Sequence, residues 1–250
     1  MKTAIIIGAT SGIGREVALR LIENGWKVGV AGRRESRLTE LQRIGGSGQV
    51  SYAVIDITRE DSTKALDKLL EETGAPDLFL HVSGVGNQNP QMDEEVETQI
   101  IRTNCEGMVR MVSHFINYVK GKPVYNERHK AHIAVVSSVA GTAGLGIAAA
   151  YSSSKKMQST YLSALSQLAR MEGLPVRFTD IRPGFVRTDF ISLHNYPFVI
   201  SAQKASIHIL HGLKRGKRII IFDWRFRFIT ALWRLIPRGI WERMSFIKTK

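Results

Sequence analysis

Short apolar runs alternate with longer amphipathic stretches along most of the chain. Residues 3–7 are apolar almost throughout and predict a buried strand. In the stretch 13–24, Ile13, Val17 and Leu21 recur at i, i+4 and i+8, on one face of a helix that Gly25 is placed to end. The same alternation predicts strands at 26–31, 49–55, 77–82, 132–137, 176–181 and 218–222. It predicts helices at 35–43, 62–72, 94–118, 152–171 and 202–213. Strands that are apolar on both faces, each followed by a helix, imply an α/β architecture: a doubly wound parallel sheet with helices on both faces. No internal repeat and no Ser/Gly- or Pro-rich linker breaks the pattern, so a single domain is expected, with 45–48 and 121–130 as surface loops.

Composition adds little except in charge. Of 250 residues, 44% are hydrophobic and 23% charged, the balance of an ordinary globular chain and not of a disordered one. A single cysteine, Cys105, excludes a disulfide framework and a thiolate-rich metal site. No apolar run approaches the roughly 18 residues of a spanning helix, and the run after Lys2 is too short for a signal-peptide core. A cytoplasmic protein is expected. The net charge is +13, and much of the excess lies at one end: eleven Lys and Arg face only Asp223 and Glu242 between Lys214 and Lys250. Such a balance attracts phosphate in a nucleotide, an anionic membrane or a nucleic acid. Nucleic acid is disfavoured, because no DNA- or RNA-binding signature accompanies the charge.

Gly8-Ala9-Thr10-Ser11-Gly12-Ile13-Gly14 lies between the first strand and the first helix. Free backbone N–H groups at a helix start stabilise a pyrophosphate, and glycine permits both the tight turn and the close approach. The spacing G-x3-G-x-G differs from the commoner G-x-G-x-x-G, and no Lys-Ser or Lys-Thr follows as in a P-loop. About 20 residues after such a loop, an acidic residue ordinarily binds the ribose 2′-hydroxyl of NAD. Here the second strand ends in Ala31-Gly32-Arg33-Arg34, with no acid before Glu35. Two guanidinium groups pair with a 2′-phosphate, so NADP(H) is the expected cofactor.

Tyr151-Ser152-Ser153-Ser154-Lys155 places a phenol and an ammonium at i and i+4 on one helix face. A nearby cation favours the phenolate and makes tyrosine, with its ordinary pKa near 10, a usable general acid/base. Ser137 and Ser138 end the preceding apolar strand, thirteen residues before Tyr151, where a parallel sheet opens toward its ligand. The Ser138 hydroxyl is there a donor for a substrate carbonyl oxygen.

Glycine loop, Ser138, Tyr151 and Lys155, in this order and spacing, resemble the short-chain dehydrogenase/reductase family over about residues 1–225, which implies a Rossmann-like domain over 1–223. The resemblance extends to further residues. Asp56, with Ile57 beside it, matches the acid that contacts the adenine ring. Asn104 matches the asparagine that holds a water in a proton relay, and Pro183-Gly184-Phe185-Val186-Arg187-Thr188 matches the segment that holds the nicotinamide amide. Arg33 stands where NADP-preferring members carry a basic residue. Cofactor binding is thereby implied for Gly8, Thr10, Ser11, Gly12, Ile13, Gly14, Arg33, Arg34, Asp56, Ile57, Ser83, Gly84, Tyr151, Lys155, Pro183, Gly184, Val186 and Thr188. The implied catalytic set is Asn104, Ser138, Tyr151 and Lys155. It implies hydride transfer between nicotinamide and a carbonyl or alcohol, with Tyr151 as proton donor in the reductive direction. A homodimer or homotetramer is likewise implied. One departure stands out: His81-Val82-Ser83-Gly84 replaces the usual Asn-Asn-Ala-Gly. His81 is expected as a buried, hydrogen-bonded histidine taking over one lost contact.

The segment 189–200, with Phe190, Leu193, Tyr196, Pro197 and Phe198, falls where the family places a substrate lid, and its apolar content fits either a hydrophobic substrate or a lid packed on itself. Residues 224–250 form a basic amphipathic extension in which Phe226, Phe228, Ile229, Leu232, Trp233 and Ile236 alternate with arginines. This fits an interfacial helix on a membrane surface, and equally a dimer-packing or substrate-covering helix with solvated arginines. Pro237 is expected to kink or end it. Two further readings stay open: a non-catalytic NADP-binding sensor or scaffold, and a membrane-peripheral reductase of lipid-derived carbonyls. The joint presence of Ser138, Tyr151, Lys155 and Asn104 speaks against the sensor.

Overall fold

The apolar runs form the strands of one sheet in a computed structural model, which describes residues 1–188 and 198–244. In chain order the first half comprises β1 (Thr3–Ile7), α1 (Gly12–Glu23), β2 (Lys27–Gly32), α2 (Glu35–Gly45), β3 (Val50–Val54), α3 (Ser62–Thr73) and β4 (Leu78–His81). The second half comprises α4 (Glu94–Ile101), α5 (Met108–Lys120), β5 (Ala131–Val136), α6 (Ala149–Met171), β6 (Val176–Pro183), β7 (Val186–Arg187), β8 (Ile200–Ser201), α7 (Ala202–Lys214), β9 (Ile219–Phe222), α8 (Trp224–Trp233) and α9 (Arg238–Trp241). Seven strands pair in the order β3-β2-β1-β4-β5-β6-β9, all parallel. The doubly wound architecture expected from the sequence is the one observed.

Alternation along each strand feeds both layers. Ala4 and Ile6 of β1 join one core with Val17, Leu21, Leu38 and Ile209 from α1, α2 and α7. Ile5 and Ile7 join the other with Leu66, Leu69, Met111, Phe115 and Leu162 from α3, α5 and α6. Phe79 stacks on Phe115 at 4.4 Å between ring centroids. The strand order reverses between β1 and β4, and that reversal opens a crevice at the carboxyl ends of the strands.

Three expectations are adjusted. The helix expected over 94–118 is interrupted by a π-helical segment, Arg102–Gly107; such a widened turn takes in an extra residue and turns the face that follows it, a local slip that a single continuous helix reading passes over. The loop 121–130 is anchored by buried Tyr125, whose hydroxyl donates to the Pro76 carbonyl at 3.0 Å. Among the described residues the extension after 223 forms two short helices, and α8 packs on the domain through Phe226 and Thr230, both buried. Pro237 stands at the N-cap of α9, and Trp241 Nε1 donates to the Gly144 carbonyl at 2.7 Å. The outward side of this region leaves Trp224, Phe228, Leu232, Leu235 and Ile240 exposed. No helix among the described residues is long and apolar enough to cross a membrane.

Candidate active site

A cavity of about 510 Å³ occupies the crevice. Every site residue expected from the sequence lines it except Gly14 and Asn104, which lie behind its wall. One wall is the glycine loop. Gly8 has φ +98°, a left-handed conformation that favours glycine, and a Cβ on it would lie 2.6 Å from the Ser83 backbone nitrogen. A Cβ on Gly14 would lie 2.1 Å from the Gly8 carbonyl, so the first turn of α1 sits directly on the loop. Opposite, at the end of β2, Arg33 and Arg34 are exposed at the cavity rim. Arg34 donates to Thr10 Oγ1 through Nε and Nη2, at 3.2 and 3.0 Å. Asp56 accepts from the Thr58 backbone at 3.0 Å and from its hydroxyl at 2.7 Å. Burial raises its carboxyl pKa, but these bonds and the nearby Arg33 charge outweigh that and hold it below the usual range.

The catalytic candidates gather at the other end. Ser138 follows β5, and its hydroxyl accepts from the Ala140 backbone at 3.1 Å. Tyr151 and Lys155 rise from the first turns of α6, whose N-terminus is fixed from outside: Glu97 accepts from the Ala150 backbone at 2.9 Å and from Asn89 at 3.0 Å. The Lys155 ammonium lies 5.8 Å from the centroid of the Tyr151 ring. Enclosure of the Tyr151 phenol pushes its pKa up, against the pull of a hydrogen bond with Ser138. The sequence reading, in which the lysine lowers that pKa, is thus outweighed by desolvation. The phenol holds its proton at neutral pH. Lys155 is buried, and desolvation lowers its own pKa to about 8 against the raising influence of Asp180 and Cys105.

Asn104 is buried inside the π-helical segment, and its side chain is fully engaged. Its Oδ1 accepts from the Val85 backbone at 2.8 Å, and Nδ2 donates to the Val85 carbonyl at 2.7 Å and to Ser154 Oγ at 3.0 Å. These bonds lock the loop following β4 onto α6. The resemblance implies a water on this asparagine; the group found on its carbonyl is the side chain of Gln158, at 2.8 Å.

His81 differs from its expectation. It is wholly buried, but neither ring nitrogen meets a partner in hydrogen-bonding geometry, and only the Ser83 backbone favours the charged form. Burial first and the Lys155 charge second lower its pKa to about 3, so the ring is neutral. Of the expected lid, 189–197 lies outside the described residues, including Phe190, Leu193, Tyr196 and Pro197; Phe198 packs edge-on against Phe226 at 6.3 Å.

Two groups escaped the sequence reading. Asp180 on β6 is buried, accepts from Ser137 Oγ and pairs with Arg182 Nε at 2.6 Å. Gln158 stands seven residues after Tyr151, on the same inward stripe of α6; a polar residue recurring at i, i+4 and i+7 was the available signal.

The short chain dehydrogenase family model matches residues 2–195. The chain belongs to this family. An uncharacterized oxidoreductase of Myxococcus xanthus is 32% identical over 251 residues, spanning 96% of this chain and 95% of its own. A short chain dehydrogenase/reductase from Burkholderia phymatum, solved in complex with NAD, superposes with a TM-score of 0.82 at 20% identity, covering 100% of this chain and 98% of that one. A short-chain dehydrogenase from Sphingobium yanoikuyae, solved in complex with NADPH, gives 0.76 at 18% identity, covering 100% and 99%. At such identities the solved structures show the shared fold. This short chain dehydrogenase is therefore a member of an oxidoreductase family that works by hydride transfer.

Proposed function

We propose that this short chain dehydrogenase is an NADP(H)-dependent reductase of apolar carbonyl compounds, reversible as an alcohol dehydrogenase. The observation that carries the reading is the convergence of Ser138, Tyr151 and Lys155 with the glycine cradle in one cavity. Structural relatives hold NAD in one case and NADPH in another; Arg33 and Arg34 at the β2 end favour the 2′-phosphate. Bound there, the dinucleotide supplies the hydride. The backbone N–H groups at the α1 N-terminus would hold its pyrophosphate, and Pro183, Gly184, Val186 and Thr188 its nicotinamide end. Ser138 donates a hydrogen bond that orients the carbonyl oxygen. Tyr151, protonated at neutral pH, delivers its proton to that oxygen, and the Lys155 charge stabilises the phenolate left behind. The rings of Phe185, Phe198 and Phe226, clustered beside Gly184, support an apolar substrate.

The test titrates NADPH and NADH by fluorescence, then follows loss of nicotinamide absorbance with aromatic and aliphatic ketones, aldehydes and quinones. Tighter binding of NADPH and turnover that disappears in Tyr151→Phe are expected. Binding without turnover, unaltered by Tyr151→Phe, would replace this reading with that of a dinucleotide sensor.

A further inference from the structure

Lys155 is a buried cation, and its neighbours decide whether its charge survives. It donates to the Val136 carbonyl at 3.1 Å and to Gln158 Oε1 at 3.0 Å. Gln158 is itself wholly buried, and its Nε2 donates to the Asn104 carbonyl in the π-helical segment. The orientation of this amide is forced: an ammonium only donates and a carbonyl only accepts, so the oxygen must face Lys155 and the nitrogen Asn104. The π turn aims a backbone carbonyl sideways at α6, and one glutamine spans the gap from it to the ammonium. We propose that Gln158 is a positioning residue for Lys155, fixing the ammonium beneath Tyr151 and supporting its positive charge with a dipole that does not cancel it.

The groups facing Lys155 from the surrounding elements are consistent with that task. Tyr151 lies on its own helix, neutral His81 at the end of β4, Cys105 in the π-helical segment, and Asp180 on β6. The Asp180 carboxylate is already engaged by Ser137 and Arg182. Among these neighbours Gln158 places its side-chain oxygen within bonding distance of the ammonium. The partner is neutral where a carboxylate would have held the lysine more tightly and offset its field at the phenol.

The first readout needs no turnover. In apo protein labelled with ¹³C at lysine Cε, the Lys155 resonance, assigned with Lys155→Met, is titrated in wild type and in two variants. Gln158→Met keeps the length and removes the hydrogen bond; the Lys155 midpoint should fall by about one pH unit, as expected for losing a bond to a charged group. Gln158→Glu supplies a carboxylate, and the midpoint should rise by about one unit or more. The second readout, which rests on the function proposed above, is the pH profile of kcat for carbonyl reduction. Its alkaline limb, a property of the Tyr151–Lys155 pair, should move down in Gln158→Met and up in Gln158→Glu. The plateau should fall at least about tenfold in Gln158→Glu with KM little changed, because the field on the phenol is offset. Shifts of opposite sign are not produced by a packing role. An unmoved Lys155 midpoint in both variants overturns the proposal; should Gln158→Met not fold, an unmoved or lowered midpoint in Gln158→Glu overturns it. Opposite midpoint shifts with no carbonyl turned over would leave Gln158 assigned and sink the reductase reading instead.

Discussion

Acid should destabilise this protein through His81. The ring is fully buried without hydrogen-bond partners, and its pKa is about 3 against 6.5 in the unfolded chain. A base whose pKa is depressed by folding binds fewer protons folded than unfolded, so stability falls as pH drops below 6.5 and goes on falling toward 3. At pH 5.0 the unfolded histidine is almost wholly protonated and the folded one is not; the difference from pH 7.5 amounts to about 2 kcal/mol. His132, buried with its Nε2 2.8 Å from Thr179 Oγ1 and its pKa lowered to about 4, adds a similar amount over the same window. Together the two histidines remove about 4 kcal/mol, a large part of the roughly 5–15 kcal/mol that holds a typical domain.

Carboxylates also titrate on the way to pH 5.0, so the measurement is a difference. Urea unfolding is followed by tryptophan fluorescence at pH 7.5 and 5.0 in wild type, His81→Asn and His81→Leu. Whatever each substitution does at pH 7.5, its loss between the two pH values should be about 2 kcal/mol smaller than wild type's, since the carboxylates cancel. Lys155 adds little, being largely charged folded and unfolded across that window. Equal pH losses in wild type and both variants would refute the argument, and with it the view that His81 is held neutral.

Further outcomes are expected at the site. Tyr151→Phe should lower kcat/KM at least about 100-fold in steady-state assays, with dinucleotide affinity in a fluorescence titration unchanged within about threefold. Arg33→Ala combined with Arg34→Ala should weaken NADPH at least about tenfold and leave NADH nearly unaffected; equal losses in competition titrations would refute the 2′-phosphate role. A Cβ on Gly184 would lie 2.2 Å from Cδ2 and Cε2 of Phe226. Gly184→Ala should therefore cost about 1–3 kcal/mol in chemical denaturation, and less than that when introduced into Phe226→Leu.

The layered sheet was legible because its code is local. Apolar runs such as 3–7 have no face left for water, and the helices repeat at i, i+4. The residues that line the cavity were legible for a related reason: glycine at Gly8 and Gly12, and Tyr151 with Lys155, are demanded by turn geometry and helix spacing. What stayed hidden depends on contacts far apart in sequence. The π turn at Arg102–Gly107 is a single local slip in a long helical stretch, and its meaning appears only where Asn104 meets Gln158, 54 residues on. Helix spacing reveals the lysine beside Tyr151 but not the loss of water around the phenol, which pushes its pKa up. His81 was expected to find a partner; the strand buries it completely, and neither ring nitrogen meets one in hydrogen-bonding geometry.

These departures share one electrostatic logic. On the mechanism proposed above, a cation assists Tyr151 only while its field is not cancelled, yet a buried ammonium without support gives up its proton. Carboxylate pairing would secure the charge and spend its effect on the wrong partner. Here a carbonyl at the end of β5 and the Gln158 amide support the ammonium with dipoles, and Asp180 acts from behind a pairing with Arg182. Protonation of His81 would set a second positive charge facing Lys155, and burial without partners prevents it. A neutral histidine in the core carries unmet hydrogen-bonding capacity that costs about 1–3 kcal/mol per group. On the same proposed mechanism, that cost is set against a lysine whose charge must reach the phenol, in a chain that carries His81 and Val82 where the family it resembles carries asparagines.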